Sequence, residues 1–250
     1  MAAPRIAVVF FDAAGTLLRV REGAGAQYAR VAARFGVEAD ARVLDALFPD
    51  AFRAAPRMAF PGAAPAEVPA LERQVWRDLV RRVVERAGLW PAFGEARFAD
   101  YFEALYGHFA TAQAWEVCPD AVPALRAIRA RGTAIGLITN FDGRIVPLLE
   151  AVGLAAWFDT VTVSSRVGAA KPAPAIFGAA LSAHGIQAGA ALHIGDSVTD
   201  DLEGARAAGL RAVLVDRAGR YRGSLGDARV DSLTEVGSLL WPVTRGGMAP

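Results

Sequence analysis

The sequence predicts an α/β protein in which a doubly wound parallel sheet carries an all-helical domain inserted after its first strand. Two observations lead to this prediction. From residue 119 onward, short apolar runs alternate with segments whose apolar residues recur at helical spacing. Residues 19–116 show helical spacing throughout and no convincing strand. Alternation of the first kind is typical of parallel sheets that are covered by helices on both faces.

The first strand is predicted at the apolar run 8–11, which is too short for a typical helix. Asp12 follows directly, and Gly15 allows the chain to turn sharply. Ligands of open α/β sheets bind at the carboxyl ends of the strands. Asp12 is therefore a candidate nucleophile or metal ligand, although an aspartate in this position also commonly starts a turn.

The remaining elements follow from apolar spacing and from glycine and proline positions. Helices are predicted in the inserted segment at about 25–35, 40–54, 69–87 and 95–112. Beyond it, helices are predicted at about 120–130, 143–151, 174–184, 199–208 and 233–240, and strands at 134–138, 160–163, 191–194 and 212–215. Residues 246–250 are expected to be mobile.

Composition narrows the functional classes. The 250 residues carry 27 basic and 26 acidic side chains, so the net charge of +1 favours neither nucleic acid nor an anionic membrane as a partner. The single cysteine, Cys118, excludes an intramolecular disulfide. No apolar run has transmembrane length, and the first strand begins too early to leave room for a signal peptide. These observations predict a soluble, cytoplasmic protein, and they leave its oligomeric state open.

Polar residues also follow two later strands. Thr139 and Asn140 come after the strand at 134–138, and Asp196 follows the strand at 191–194. Lys171 is the only lysine in the chain and precedes a helix that begins with proline. Clustered carboxylates suit Mg²⁺, while a hydroxyl and a lysine suit phosphoryl oxygens. Taken singly, Asn140 is also a turn former and Lys171 a solvated side chain.

Together the motifs resemble the haloacid dehalogenase superfamily of hydrolases. The resemblance implies a Rossmann-like core, residues 1–18 and 117–250, and a C1-type helical cap domain, residues 19–116. The order of elements and the sequence 140–142 are most similar to the branch of the rhythmically expressed gene 2 product. The matching motifs are Asp12-x-x-Gly15-Thr16-Leu17, Thr139-Asn140, Lys171-Pro172-x-Pro174-x-Ile176-Phe177 and Gly195-Asp196-Ser197-x-x-x-Asp201-x-x-Gly204-Ala205.

The resemblance further implies a nucleophile and a metal site. Asp12 would attack phosphorus and form an aspartyl-phosphate, which splits one difficult displacement into two steps. Asp12, Asp196 and the backbone carbonyl of Ala14 would ligate Mg²⁺. Asp200 and Asp201 would support the site without binding the metal directly.

The resemblance also implies how a phosphoryl group would be held. Thr139, Asn140 and Lys171 would bind its oxygens, and Lys171 would orient Asp12 as well. Thr139 and Lys171 therefore join Asp12 as predicted catalytic residues, and the predicted partner is a small phosphorylated substrate.

One position departs from the family pattern. Family phosphatases usually have a second aspartate two residues after the nucleophile, where it serves as general acid and base, and this chain has Ala14 there. Loss of a positioned acid typically costs ~10²–10⁴-fold in rate. The sequence thus predicts a Mg²⁺-dependent phosphatase that acts on good leaving groups or borrows an acid from the cap or the substrate.

Two other functions remain open. A catalytically weak or inactive binder of phosphometabolites, or a regulatory protein, could keep the fold. Carbon-centred hydrolysis of the dehalogenase type is the other, although Asp196 disfavours it because the dehalogenases of this family typically lack that metal ligand. A phosphonoacetaldehyde hydrolase is rejected, because those enzymes need a lysine in the cap for a Schiff base and this cap has none. Substrate contacts in the cap are not assigned, although the side chains considered are Arg53, Arg57, Arg73, Arg77, Trp76, His108 and Trp115.

Overall fold

A computed structural model gives the structure of residues 5–223, 225 and 229–240; the predicted mobile segment 246–250 lies outside them. The strands are β1 (Val8–Phe11), β2 (Leu18–Val20), β3 (Trp115–Val117), β4 (Ala134–Thr139), β5 (Thr160–Val163), β6 (Ala191–Gly195), β7 (Arg211–Val215) and β8 (Arg229–Val230). Within these residues the strands of the central sheet are parallel and run in the order β5-β4-β1-β6-β7-β8.

Helices cover both faces of this sheet, which confirms the predicted α/β fold class. The helices are α1 (Ala24–Ala33), α2 (Ala41–Ala54), α3 (Val68–Arg86), α4 (Trp90–His108), α5 (Ala121–Arg129), α6 (Ile145–Ala151), α7 (Ser164–Val167), α8 (Pro174–His184), α9 (Gly204–Ala207) and α10 (Val236–Leu240). Val9 and Phe11 of β1 pack with α5, α6 and α10, whereas Val8 and Phe10 pack with α8 and α9.

The register of the sheet places several strand ends at one level. Phe11 of β1 lies opposite Leu137 of β4 on one side and Ile194 of β6 on the other. Asp12 therefore lies close to the residues that end β4 and begin the loop after β6. Every residue of β1 is buried, as expected for a central parallel strand.

Helices α1 to α4 form a hydrophobic core of their own, in which Tyr28, Phe98, Tyr101 and Phe102 are buried. A two-stranded antiparallel ribbon of β2 and β3 connects these helices to the sheet, with Leu18 opposite Val117. The separate core supports our proposal that residues 19–116 form a cap domain. The ribbon itself spans both of the proposed boundaries, 18/19 and 116/117.

Several local elements differ from the sequence prediction. The prediction missed the ribbon strands, because each has only three residues and pairs across nearly the whole insertion. Helix α4 begins at Trp90 but breaks at Gly94, whose φ is 59°, so the predicted start at 95 matches the part after the break. The predicted helix at 199–208 consists of a π-helical segment, Val198–Glu203, followed by α9. None of the helices in the described residues combines the length and apolar character needed to span a bilayer.

Candidate active site

Asp12 and Lys171 form a buried ion pair at the carboxyl end of β1. The Lys171 side chain is only 2% exposed, and its Nζ donates to Asp12 Oδ1 and to Asp201 Oδ1, at 2.6 Å each. A solvated surface position, the alternative considered for Lys171, is therefore wrong. Removing a lysine from water costs free energy that only close opposite charges offset, and two carboxylates supply them here.

Asp201 accepts the lysine hydrogen bond and two others, so that both of its carboxylate oxygens have partners. Its Oδ1 also accepts from His193 Nε2 at 2.8 Å, and its Oδ2 accepts from the Ser197 backbone N–H at 3.0 Å. A Cβ at Gly195 would lie 2.0 Å from the Asp201 carboxyl carbon, so only glycine allows Asp201 to approach so closely. Both carboxylate oxygens of Asp201 are thus already in use, and its supporting role toward a metal stays a prediction.

The ionisation of the three groups follows from burial and proximity. Burial, together with the nearby charges of Asp201 and Asp196, raises the pKa of Asp12 to about 7, although Lys171 opposes this rise. Burial by itself would raise the pKa of Asp201. The nearby charge of Lys171 and the hydrogen bond from His193 act in the opposite direction and prevail, so this pKa lies well below its usual range. Burial disfavours the charged form of Lys171, but both carboxylates outweigh it and raise the lysine's pKa.

Asp196 follows β6 and faces the turn after Asp12. A Cβ at Gly15, whose φ is +93°, would lie 2.3 Å from Asp196 Oδ2, which explains why glycine is needed there. Thr16 Oγ1 lies 3.4 Å from Asp196 Oδ1. Burial, helped by the Asp201 charge, raises the pKa of Asp196.

The donor set fits a hard divalent cation. Carboxylate oxygens of Asp12, Asp196 and Asp201 lie within 4.8 Å of one another. The hydrogen bonds that the described residues make to the Asp12 carboxylate reach Oδ1 only, and Asp196 receives one long contact. Asp12 and Asp196 therefore keep oxygens for a metal, whereas those of Asp201 are occupied. Mg²⁺ typically takes one or two carboxylates together with phosphate oxygens and water.

Thr139 ends β4, and Asn140 follows it beside Lys171. The Thr139 side chain is buried, and its Oγ1 accepts a hydrogen bond from the Phe141 backbone N–H at 3.3 Å. Asn140 Oδ1 accepts from the Lys171 N–H at 2.7 Å, while Asn140 Nδ2 donates to the Lys171 carbonyl at 3.0 Å. The asparagine amide thus fixes the backbone of the lysine, and its predicted contact with phosphate stays a prediction.

Asp200, predicted as a supporting residue, lies at the margin of the site. Its Oδ2 accepts from Arg57 Nη1 at 3.0 Å, and Asn140 Nδ2 lies 3.4 Å from the same oxygen. Its Oδ1 is buried and has no partner among the described residues. Asp200 is among the residues that line the cavity described next.

A cavity of about 510 Å³ opens above these residues. Asp12, Thr139, Lys171 and Asp196 line its floor, together with the small side chain of Ala14. The structure therefore brings the predicted catalytic and metal-binding residues together around one space. A volume in this range accommodates a small organic ligand as well as a phosphoryl group.

The walls of the cavity come from the helical insertion and include residues that the sequence did not indicate. Phe48, Phe52 and Met58 belong to this group, because aromatic and aliphatic side chains at helical spacing normally indicate core packing. Trp76 and Trp115, two of the cap side chains considered, also line the cavity.

The other cap side chains considered lie elsewhere or contact the floor from outside. Arg57 Nη1 donates to the Lys171 carbonyl at 2.6 Å and to Asp200. The remaining four form pairs that do not line the cavity: Arg53 with Asp50, Arg73 with Glu103, Arg77 with Glu95, and His108 with Gln27.

The helical insertion also contacts the loop that follows Thr139. Trp76 Nε1 donates to Asp142 Oδ2 at 2.6 Å, and Glu72 Oε1 accepts from the Gly143 N–H at 2.9 Å. Arg144 Nη1 donates to the Tyr106 carbonyl at 2.9 Å. These contacts fix the wall of the cavity relative to the carboxyl end of β4.

Sequence comparison relates this arrangement to known proteins. A family model described as haloacid dehalogenase-like hydrolase matches residues 6–209. Haloacid dehalogenase-like hydrolase domain-containing protein 3 of Bos taurus is 36% identical over 211 residues, which cover 84% of this chain and 82% of that protein. The rhythmically expressed gene 2 protein of Drosophila melanogaster is 29% identical over 219 residues, covering 84% and 83%.

A relative with a named activity and a solved structure agree with this match. Phosphoserine phosphatase of Thermus thermophilus is 36% identical over 176 residues, or 67% of this chain and 68% of that protein. The crystal structure of an L-2-haloacid dehalogenase shares the fold with a TM-score of 0.71 at 21% identity, covering 94% of this chain and 99% of that one. The predicted resemblance is confirmed, and the chain belongs to the family of haloacid dehalogenase-like hydrolases.

Proposed function

We propose that this hydrolase is a Mg²⁺-dependent phosphatase that acts on small phosphorylated substrates through an aspartyl-phosphate at Asp12. The observation that carries the proposal is the Asp12 carboxylate, whose Oδ1 is held by Lys171 while Oδ2 is left for another partner at the cavity floor. The names of the phosphatase relatives support a phosphorylated substrate. The expected cytoplasmic location rests on composition alone and stays a prediction.

The charge balance of the floor supports the metal requirement. Asp12, Asp196 and Asp201 face the single cation of Lys171, so the floor alone would repel a phosphate dianion. In our proposal Asp12, Asp196 and the Ala14 carbonyl hold Mg²⁺. When bound, Mg²⁺ neutralises phosphoryl oxygens and strengthens the electrophilic character of phosphorus.

The residues of the chain then perform the transfer. An Asp12 oxygen forms a bond to phosphorus while the bond from phosphorus to the leaving oxygen breaks, and the electron pair departs with that oxygen. Lys171 keeps Asp12 aligned through its 2.6 Å hydrogen bond, and Lys171 and Thr139 stabilise the transferred oxygens. Water later attacks the aspartyl-phosphate, which releases inorganic phosphate and restores the Asp12 carboxylate.

Ala14 determines which leaving groups are tolerated. Its side chain borders the cavity but has no proton to give, and this position is where family phosphatases usually have their acid. A leaving group that is stable as an anion departs without a proton, whereas an alkoxide does not. We therefore expect faster hydrolysis of acyl and aryl phosphates than of alkyl phosphates.

The same residue is the observation that favours the second candidate, a binder of phosphometabolites with little or no turnover. Against it stands the intact arrangement of Asp12, Lys171 and Asp196, which binding of phosphate alone does not require. Carbon-centred hydrolysis of the dehalogenase type is a third and weaker candidate, since Asp196 provides an oxygen ligand that this chemistry does not use.

Hydrolysis assays distinguish these candidates. Acetyl phosphate, p-nitrophenyl phosphate and a set of alkyl phosphates are incubated with the protein in Mg²⁺ or in EDTA. We expect Mg²⁺-dependent release of phosphate from the two activated compounds, no activity in Asp12→Asn and full activity in the exposed control Asp78→Asn. Absence of turnover on every phosphate, with binding of phosphate retained, would establish the binder instead.

A further inference from the structure

The walls of the active-site cavity are aromatic, in contrast to its charged floor. Phe48 and Phe52 of α2 stack with ring centroids 5.8 Å apart and planes 23° apart, and the Phe52 ring lies 6.1 Å from Trp76. Trp115 and Met58 extend this apolar lining. The cavity therefore offers ring faces and edges to the part of a ligand that lies beyond the phosphoryl group.

The indole N–H groups of these walls already have partners inside the protein. Trp76 Nε1 donates to Asp142, and Trp115 Nε1 donates to the Phe109 carbonyl at 3.0 Å. Arg19 is the one charged residue that the insertion contributes to the lining among the described residues; its Nε donates to Glu116 at 2.8 Å, and its side chain is 57% exposed at the edge of the site. Apart from Arg19, the lining that the insertion contributes offers a hydroxyl-rich or charged ligand few polar partners.

Phe52 is 52% exposed, more than any other large apolar side chain among the described residues. An apolar ring that stands open to solvent at the side of a ligand cavity gains free energy when a second apolar surface covers it. Phe52 is therefore available to pack against a ligand.

A second cavity, apolar and about 60 Å³ in volume, lies behind the same walls. Phe48, Trp76 and Trp115 line both cavities, and Phe102 and Leu105 line only the second one. The two cavities therefore share aromatic side chains, so the apolar character of the wall continues behind the active-site cavity.

The lining also lacks a proton donor for a leaving group. Among the described residues of the insertion that border the cavity there is no carboxylic acid and no histidine, and Ala14 occupies the usual position of the acid. An acid borrowed from the cap is thus not present in this conformation. In the proposed phosphatase the leaving oxygen therefore departs as an anion, which an aromatic alcohol allows far more readily than an aliphatic one.

We infer that the substrate is a phosphate monoester of an uncharged aromatic alcohol, whose ring packs against Phe48, Phe52 and Trp76. The inference rests on the proposed phosphatase function. Asp12 forms the bond to phosphorus, the bond from phosphorus to the aryl oxygen breaks, and the electron pair leaves on a phenolate that takes its proton from water. Water then hydrolyses the aspartyl-phosphate to inorganic phosphate.

The test compares three phosphates whose leaving groups all depart as anions. 1-Naphthyl phosphate carries an uncharged ring system, 4-carboxyphenyl phosphate carries a charged ring, and acetyl phosphate carries no ring. We expect kcat/KM for 1-naphthyl phosphate to exceed that for 4-carboxyphenyl phosphate by about tenfold or more, because the walls do not solvate a carboxylate. In Phe52→Ala the ratio of kcat/KM for 1-naphthyl to acetyl phosphate falls about tenfold, and in the matched control Val43→Ala, an exposed residue of the same helix, it is unchanged.

The outcomes separate the inference from the function on which it rests. Mg²⁺-dependent hydrolysis of acetyl phosphate with no preference for 1-naphthyl phosphate would overturn the inference and leave the phosphatase standing. If no phosphate is hydrolysed, the proposed function fails, and calorimetric titration with 1-naphthyl phosphate and inorganic phosphate decides the rest. Tighter binding of the naphthyl compound, weakened in Phe52→Ala, would still support an aromatic ligand, and equal binding of both would contradict it.

Discussion

The floor and the walls of the cavity are built in different ways. Three residues of the floor, Asp12, Thr139 and Asp196, lie at the carboxyl ends of parallel strands, so the register of the sheet fixes them relative to one another. The walls come from helices of the insertion, where side-chain packing fixes positions such as Phe48 and Trp76. In our proposal the floor therefore determines the chemistry, and the walls determine which molecule undergoes it.

The floor is held together by the ion pairs of Lys171 with Asp12 and Asp201, so we expect removal of this lysine to have the largest effect on stability and turnover. Lys171→Met leaves Asp12 and Asp201 buried without their counter-charge, and we expect a loss of about 3–5 kcal/mol in the free energy of unfolding as well as loss of turnover. Urea denaturation measures the first effect. Arg53→Met, which removes the exposed pair with Asp50, should cost no more than about 1 kcal/mol. Equal costs for the two variants would contradict a coupled floor.

The chemical limit of the floor lies at Ala14. In Ala14→Asp we expect hydrolysis of alkyl phosphates to rise by ~10²–10⁴-fold, because a carboxylic acid at this position can protonate an alkoxide leaving group. The control Ala14→Asn has a similar size and no transferable proton, and it should not gain this activity. Steady-state assays on matched alkyl and aryl phosphates measure the change. A gain in both variants would show that polarity, and not proton transfer, limits the parent protein.

The raised pKa values of the floor predict a pH dependence of metal binding. Because the pKa of Asp12 is raised to about 7 and that of Asp196 is also raised, protons compete with Mg²⁺ for these oxygens below pH 7. Apparent Mg²⁺ affinity should therefore fall as pH falls below 7, by up to about tenfold per pH unit for each proton displaced. Titration calorimetry at pH 6 and pH 8 measures it. An affinity that is independent of pH would show that these carboxylates are not the ligands.

The smallest effect is expected where floor and walls meet at an exposed contact. Arg57 is half exposed and reaches the Lys171 carbonyl and Asp200 from the insertion. Exposed ion pairs contribute up to about 1 kcal/mol, so Arg57→Met should change kcat/KM by less than about fivefold. Arg30→Met, which removes an exposed pair with Glu22 away from the cavity, is the matched control. A loss of several orders of magnitude in Arg57→Met would place this residue in the chemistry instead.

The sequence predicted the floor well because its residues are tied to strand ends. Asp12, Thr139 and Asp196 each follow a short apolar run, and Lys171 was conspicuous as a lone lysine before a proline. The hydrogen bonds that Lys171 donates to Asn140 and Asp201 join residues about thirty positions apart in the sequence, and they could not be predicted individually.

The walls escaped prediction for a physical reason. Phe52 lies on α2 at a spacing that suits a core residue, and only the packing of α2 against α3 exposes its ring beside the cavity. The ribbon of β2 and β3 escaped because each strand is short and its partner lies at the other end of the insertion. The spacing of apolar residues predicts which face of a helix is apolar, but it does not show whether that face packs in the core or contacts a ligand.

The central claim is that Asp12 becomes phosphorylated, and direct trapping of that intermediate tests it. The protein is mixed with Mg²⁺ and acetyl phosphate, quenched, reduced with borohydride and digested, and the peptide that contains residue 12 is analysed by mass spectrometry. Borohydride converts an aspartyl-phosphate into homoserine, so we predict homoserine at position 12 in a Mg²⁺-dependent fraction of the peptide. Turnover of acetyl phosphate with Asp12 unmodified, or with homoserine at another aspartate, would contradict the account.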